Sequence, residues 1–181
     1  QILRLEVPQD YSVKFIIIVD DPETKLRNEL KMLEKDFLGN VRVRFNSENY
    51  GASVARNRGL DESAAEWVLF LDDDVVTPEN LLIVYMQYIS QHGKDVCGLV
   101  GSSLFPLPTT SRQAGFIMSY LAYFWRVSEI MEYPPWGVTA NLLVKRTRAR
   151  FHKDFVKTGG GEDIAMCIDT SKLTRQVFRA A

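Results

Sequence analysis

Two short apolar runs end directly in clusters of carboxylates, and this constrains the chain more than any other feature. Residues 13–19 form a nearly unbroken β-branched and aromatic run that stops at Asp20-Asp21-Pro22. Trp67 to Leu71 is wholly apolar and stops at Asp72-Asp73-Asp74. Runs without alternation are the pattern of strands buried on both faces, as in a parallel sheet. Between them Leu26, Leu30, Leu33 and Phe37 mark one face of an amphipathic helix that stops at Gly39-Asn40. Val41 to Phe45 reads as a second strand, and residues 51–65 as a second helix. Thr77-Pro78-Glu79 reads as a helix start with Thr77 as cap, and that helix is expected to bury Leu81, Leu82, Tyr85, Tyr88 and Ile89. Strand and helix in strict alternation predict right-handed crossovers and an α/β fold, a mainly parallel central sheet flanked by helices.

After a further strand at Val96 to Val100 the pattern loosens. Residues 102–112 hold two prolines and several hydroxyls and read as a loop, and the aromatic stretch 114–127 as a helix. Pro134-Pro135-Trp136-Gly137 marks a turn before a strand at 138–144. Gly159-Gly160-Gly161 reads as a flexible loop entering a short helix. The 181 residues suffice for one domain, 1–181, and no repeat or low-complexity segment divides them. A net charge of −1 gives no general field toward nucleic acid. Cys97 and Cys167 lack metal-ligand spacing and are expected as buried thiols. The chain opens at Gln1 and ends in mid-pattern at Arg179-Ala180-Ala181, so it is expected to be part of a longer protein, with any membrane anchor outside it.

In open α/β sheets, ligands bind beyond the carboxyl ends of strands, where both acidic clusters fall. Adjacent carboxylates repel unless a cation shares them, and hard oxygen ligands suit Mg²⁺ or Mn²⁺ held jointly with substrate phosphates. A solvated acidic turn is the alternative. The segment from Asn49-Tyr50-Gly51 through Ala55-Arg56-Asn57-Arg58-Gly59, followed by the strand into Asp72-Asp73-Asp74, resembles the signature of family 2 glycosyltransferases. Val19-Asp20-Asp21 and Gly160-Gly161-Glu162-Asp163 resemble two further motifs of that family, the latter carrying its catalytic base. The likeness spans residues 13–170. It departs at Pro22-Glu23, where the family has Gly-Ser, and in residues 1–11, which lack the family's opening Pro-x-Tyr/Phe-Asn-like strand end. The expected chain therefore lacks the first strand and the C-terminal part, including any Gln-x-x-Arg-Trp signature, which leaves processivity open.

The resemblance implies a GT-A-type, Rossmann-like sandwich and an inverting transfer from a nucleotide-diphosphate sugar, UDP first, to an acceptor hydroxyl. It implies that Asp21, with Asp20 beside it and Asn49 nearby, meets the nucleotide base, and that Arg56 faces the nucleotide or diphosphate. Asp72 and Asp74 would hold Mn²⁺ or Mg²⁺, although three successive aspartates leave Asp73 equally eligible. Asp163, next to Glu162, would take the acceptor proton; an N-terminal helix cap is the other reading of it. Trp136 is a candidate to stack on an acceptor sugar or to pack in the core, and Asn141 to line the donor sugar. The acceptor is expected to be a glycan, lipid or protein. The basic run 145–150 reads as a solvated face, and His92 and His152 as surface or structural residues. The aromatic stretch 116–125 is too short to span a bilayer but suits core, acceptor wall or peripheral membrane contact. The expected location is the cytoplasm or the cytoplasmic face of a membrane. A sugar nucleotidyltransferase would want a glycine-rich basic loop near the start, which is absent. A non-catalytic relative is opposed by intact Asp72, Asp74 and Asp163.

Overall fold

The computed structural model describes residues 2–118, 122–158 and 160–181. A 3₁₀ turn at Ile2–Arg4 precedes β1 (Phe15–Val19), α1 (Arg27–Asp36), β2 (Val41–Phe45), α2 (Ala52–Glu62), β3 (Trp67–Leu71), α3 (Leu81–His92) and β4 (Val96–Val100). Three short helices follow, α4 (Ser111–Phe116), α5 (Ala122–Trp125) and α6 (Val127–Ile130). Then come β5 (Asn141–Lys145), a 3₁₀ helix (Lys153–Thr158), α7 (Glu162–Thr174) and β6 (Val177–Ala180).

The α/β alternation holds, and the sheet is partly parallel. β1 pairs with β2 in parallel, and a second sheet runs in the order β3-β5-β4-β6. β4 and β6 are parallel, but β5 runs antiparallel to both of its neighbours. The reason is local. β5 is entered through the turn at 134–140 rather than through a crossover helix that would return the chain to the same end of the sheet.

Alternate side chains of this sheet divide between two cores. Leu69, Leu71, Leu99 and Leu143 face Leu81, Leu82 and Tyr85 of α3. Leu142, Val144, Cys97 and Phe178 pack with Val127 of α6 and Cys167 of α7. Val68 and Phe70 lie against Leu60 of α2, with Phe151 and Met166. In β4 the alternation slips: Val96 and Leu99 face one core, Cys97 and Val100 the other. The β4–β6 register is irregular between Val96 and Gly98, and one extra residue there turns the following side chains over.

Other expectations change in detail. β1 and β3 are half-buried throughout rather than enclosed on both faces. The apolar stripe of α1 buries no residue, and Leu26 is 58% exposed. Thr77 does not cap α3, whose N-cap is Asn80, because residues 77–80 turn before the helix begins. The expected helix at 114–127 is broken into short pieces, and residues 119–121 of that stretch lie outside the described residues. Within it Phe124 stacks on Trp136 with ring centroids 6.0 Å apart, and Trp125 meets Phe105 edge-on at 5.4 Å. The strand expected at 138–144 begins at Asn141, and the helix expected to be short, α7, has 13 residues. Gly159 of the expected glycine loop lies outside the described residues. Both cysteines are free and fully buried. Among the described residues no helix is long and apolar enough to cross a membrane.

Gly98 sits where β6 crosses closest. A Cβ there would meet the Phe178 ring and lie 2.6 Å from the Leu143 carbonyl oxygen. Because sheet backbone and a buried ring cannot both yield, Gly98→Ala is expected to destabilise the fold by about 1–3 kcal/mol. Urea denaturation should give a lower midpoint with unchanged slope. An unchanged midpoint would mean that β6 does not seat against β4 as described.

Candidate active site at the ends of β1 and β3

The carboxyl ends of β1 and β3 open toward α2, and α2 carries the side chains that organise both. At β1, the Asp20 carboxylate accepts hydrogen bonds from the Gly51 N–H at 2.7 Å, the Tyr50 N–H at 3.1 Å and the Asn46 amide. Asn46 is itself 5% exposed and receives Arg58 on its side-chain oxygen, while Arg58 also donates to the Phe45 carbonyl at 2.8 Å. Asp20 thus fastens the loop before α2 rather than presenting a free carboxylate. Asp21, beside it, is exposed; its carboxylate accepts the Glu23 N–H at 3.0 Å and its carbonyl the Thr24 N–H at 3.3 Å, in a local turn. Asn49 is exposed.

At β3, three carboxylates converge on one guanidinium. Arg56 lies 3.4 Å from Asp72, 3.0 Å from Glu162 and 3.7 Å from Asp163. Its guanidinium carbon stands 5.6 Å from the centre of the Phe151 ring, which closes the site from below. Burial pushes the Asp72 carboxyl above its ordinary value, against the pull of Arg56 and with the neighbouring charges of Asp74 and Asp73 adding to the rise. Burial likewise raises Asp163, opposed by Arg56 and by hydrogen bonds from Thr139. Three carboxylates against one guanidinium, with Asp73 and Asp74 exposed next to them, leave a local surplus of negative charge.

Asp163 owes its place to α7. Gly161 caps that helix at φ 108°, a left-handed conformation natural to glycine, and the chain turns there so that Glu162 and Asp163 start the first turn facing Arg56. Asp163 makes no cap bond of its own helix; its carboxylate instead accepts from Thr139, whose N–H lies at 3.2 Å and whose hydroxyl at 3.2 and 3.3 Å from its two oxygens. The segment beneath is pinned by α2 as well. Asn57 exchanges two hydrogen bonds of 2.8 Å with the Phe151 backbone, and Ser53 donates to the His152 carbonyl at 3.2 Å.

The structure therefore brings together Arg56, Asp72, Glu162 and Asp163, while Asp20 sits at the N-terminus of α2, on the Gly51 N–H. Asn141 is occupied in a structural network. Tyr85 donates to its side-chain oxygen at 2.6 Å, and its amide donates to the Ser102 carbonyl at 3.2 Å. Trp136 packs against the core formed by Cys97, Leu142 and Phe178. His152 pairs with Asp169 at 2.9 Å, on the surface as expected. Arg150 of the basic run is bound to Asp61 at 2.8 Å. Sequence reasoning missed Asn46, Arg58 and Thr139, polar residues that become informative only once their partners 12 to 26 residues away are known. Burial also pushes the Cys167 thiol up to about 12, so it is inert beside the site.

The comparisons with known proteins identify the family and the fold. The family model for glycosyl transferase family 2 matches residues 3–156. Poly(ribitol-phosphate) beta-N-acetylglucosaminyltransferase TarP of Staphylococcus aureus (strain N315) is 37% identical over 82 residues, covering 45% of this chain and 25% of that protein. An uncharacterized glycosyltransferase of Haemophilus influenzae is 28% identical over 118 residues, covering 60% of this chain and 46% of that protein. Among solved structures, residues 1–349 of S. aureus TarS in complex with UDP superpose with a TM-score of 0.66 at 14% identity, over 98% of this chain and 51% of that one. A second TarS structure gives 0.63 over 98% of this chain and 31% of that one. This structural likeness is one of fold, the GT-A fold that the resemblance implied. The chain spans between a quarter and about half the length of these relatives. With its motifs in order and most of its length matched, the chain belongs to glycosyl transferase family 2.

Proposed function

We propose that this chain carries the donor site and the catalytic base of an inverting glycosyltransferase that uses a UDP-sugar and a divalent cation. One observation carries the reading: Asp72, at the end of β3, and Asp163, at the start of α7, meet across the same Arg56 side chain. That arrangement puts the group suited to a metal-bound diphosphate next to the group suited to a base. TarS is described in complex with UDP, and this favours UDP over other nucleotides for the present chain.

The donor chemistry fits a hard cation. Asp72 and Asp74 offer carboxylate oxygens where negative charge is in surplus, and Mg²⁺ or Mn²⁺ characteristically takes one or two carboxylates together with substrate phosphates. Among the described residues no three His, Cys, Asp or Glu side chains form a closed ligand set, so phosphate oxygens would complete the shell. A bound cation supplies Lewis-acid stabilisation of the leaving diphosphate. Asp163 accepts the proton of the acceptor hydroxyl as its oxygen attacks the anomeric carbon from the opposite face. The bond from that carbon to the phosphate oxygen breaks, and its electron pair leaves with UDP. A single displacement of this kind inverts the anomeric centre. Asp21, exposed at the end of β1, contacts the nucleotide base, and Asp20 holds the loop that borders it. TarP, named for transfer to poly(ribitol phosphate), suggests a phosphate-rich glycopolymer as acceptor class.

Calorimetric titration of UDP is expected to show binding with Mn²⁺ present and its loss with chelator. Asp74→Ala should weaken that binding at least about tenfold, the cost of one charged ligand. Binding that is unaffected by both chelator and substitution would exclude the metal assignment.

The raised carboxyl of Asp163 gives a second test, on stability. A folded-state value above the unfolded one means that the group stabilises fully only below the unfolded value, and that this contribution is lost as pH rises through the folded value. At neutral pH the buried carboxylate is therefore a cost. Asp163→Asn is expected to raise the thermal midpoint at pH 7, with the gain shrinking as pH falls through the acidic range, while turnover falls by roughly 10²-fold or more. Equal midpoints at all pH values would mean that Asp163 is solvated rather than buried.

A further inference from the structure

We propose that Thr139 is a positioning residue for Asp163, aiming its carboxylate into the site; the proposal rests on the reading of Asp163 as the base. Thr139 is polar and yet 1% exposed. Its hydroxyl reaches both Asp163 oxygens, at 3.2 and 3.3 Å, and its N–H reaches Oδ2 at 3.2 Å. A β-branched side chain has few rotamers, so the hydroxyl has little freedom to turn elsewhere.

The platform matters as much as the contact. Thr139 lies two residues before β5, the strand paired on both edges, by β3 and by β4. The turn containing it is closed by the Asn141 N–H on the Val138 carbonyl at 3.0 Å. Asp163 is thereby referenced to the centre of the sheet, the same sheet whose edge strand β3 ends in Asp72. Without Thr139 its position would depend on α7 and on a single ion pair at 3.7 Å to Arg56.

Lone-pair accounting leaves room for the reaction. An ionised carboxylate has about four acceptor sites, of which one N–H and one hydroxyl proton occupy two. The remaining sites are open to an acceptor hydroxyl. The charged and titratable groups facing Asp163 are Arg56 from α2, Glu162 beside it and the Cys167 thiol one turn along α7. Of these Arg56 favours the anion and Glu162 disfavours it, and the hydrogen bonds from Thr139 act in the same sense as Arg56, against the rise caused by burial.

The test compares Thr139→Val, which keeps shape and N–H but removes the hydroxyl, with Thr139→Ser, which keeps the hydroxyl. The first readout is the titration of the Asp163 carboxyl carbon by ¹³C NMR, assigned by its loss in Asp163→Asn. The expected result is a midpoint moved to higher pH in Thr139→Val and restored in Thr139→Ser. The second readout is UDP release from UDP-N-acetylglucosamine with Mn²⁺. Here Thr139→Val is expected to lose about tenfold or more in kcat with the donor KM within roughly twofold, and Thr139→Ser to recover most of it. Should Thr139→Val fail to fold, Thr139→Ala takes its place in both measurements. An Asp163 midpoint identical in the wild type and Thr139→Val overturns the proposal. So does a wild-type kcat in Thr139→Val when Asp163→Asn has lost turnover, and in that case the base assignment survives. Wild-type turnover by Asp163→Asn overturns the base assignment and this inference with it.

Discussion

A single guanidinium organises the site. Arg56 is 19% exposed and faces Asp72, Glu162 and Asp163, groups from β3 and α7 that would repel one another if nothing stood between them. Burying charges is costly unless they are paired, and removing one partner from such a set leaves the others uncompensated. The planar fork of arginine suits several carboxylates at once, which a lysine ammonium does not do with the same geometry. Arg56 is held from below by the Phe151 ring, and Phe151 is held by Asn57, the next residue of α2. Its other neighbour in the motif region, Arg58, points to the opposite side and fixes Asn46 and, through it, Asp20. Three consecutive residues, Arg56, Asn57 and Arg58, thus fasten three different segments onto one helix.

That arrangement explains which parts were legible in the sequence. Strands β2, β3 and β4 have the limits expected of them, because each is an apolar or alternating run closed by strong stop signals. The acidic clusters lie at strand ends as expected, since a charged group does not continue an apolar run. The failures share one cause. The sense of β5 depends on the turn that feeds it, which hydrophobic pattern does not encode. The burial of β1 and α1 depends on what packs over them, and Leu26 and Met32 of the α1 region stay largely exposed at 58% and 63%. Thr77 resembles a cap locally, but the chain turns again before α3.

The same reasoning applies to individual site residues. Asp163 and Arg56 could be singled out by motif, but not their meeting, which is set by α2 and α7 approaching the end of β3. Asn141 and Trp136 are engaged by neighbours that a local pattern does not reveal, the Tyr85 hydroxyl in one case and a stacked Phe124 ring in the other. Asn46 and Thr139 have side chains common at surfaces, and only their near-complete burial marks them. A polar residue buried against a carboxylate is informative because it is costly to keep there without its partner.

The surplus of negative charge around Arg56 has a consequence for order of events. In the free protein the guanidinium is the cation that these carboxylates share. On the proposed reading, a divalent ion at Asp72 and Asp74 would offset the like charges that add to burial in raising Asp72, and it would weaken the hold of Arg56 on that side. Arg56 can then lean toward Glu162 and Asp163 or toward a diphosphate. A shift toward Asp163 would favour its carboxylate, whereas a shift toward the diphosphate would withdraw that support. Donor and cation would in this way act on the protonation of Asp163 through the guanidinium that it shares with Asp72. The linkage needs no movement of the backbone, only redistribution of one charge among neighbours already in contact.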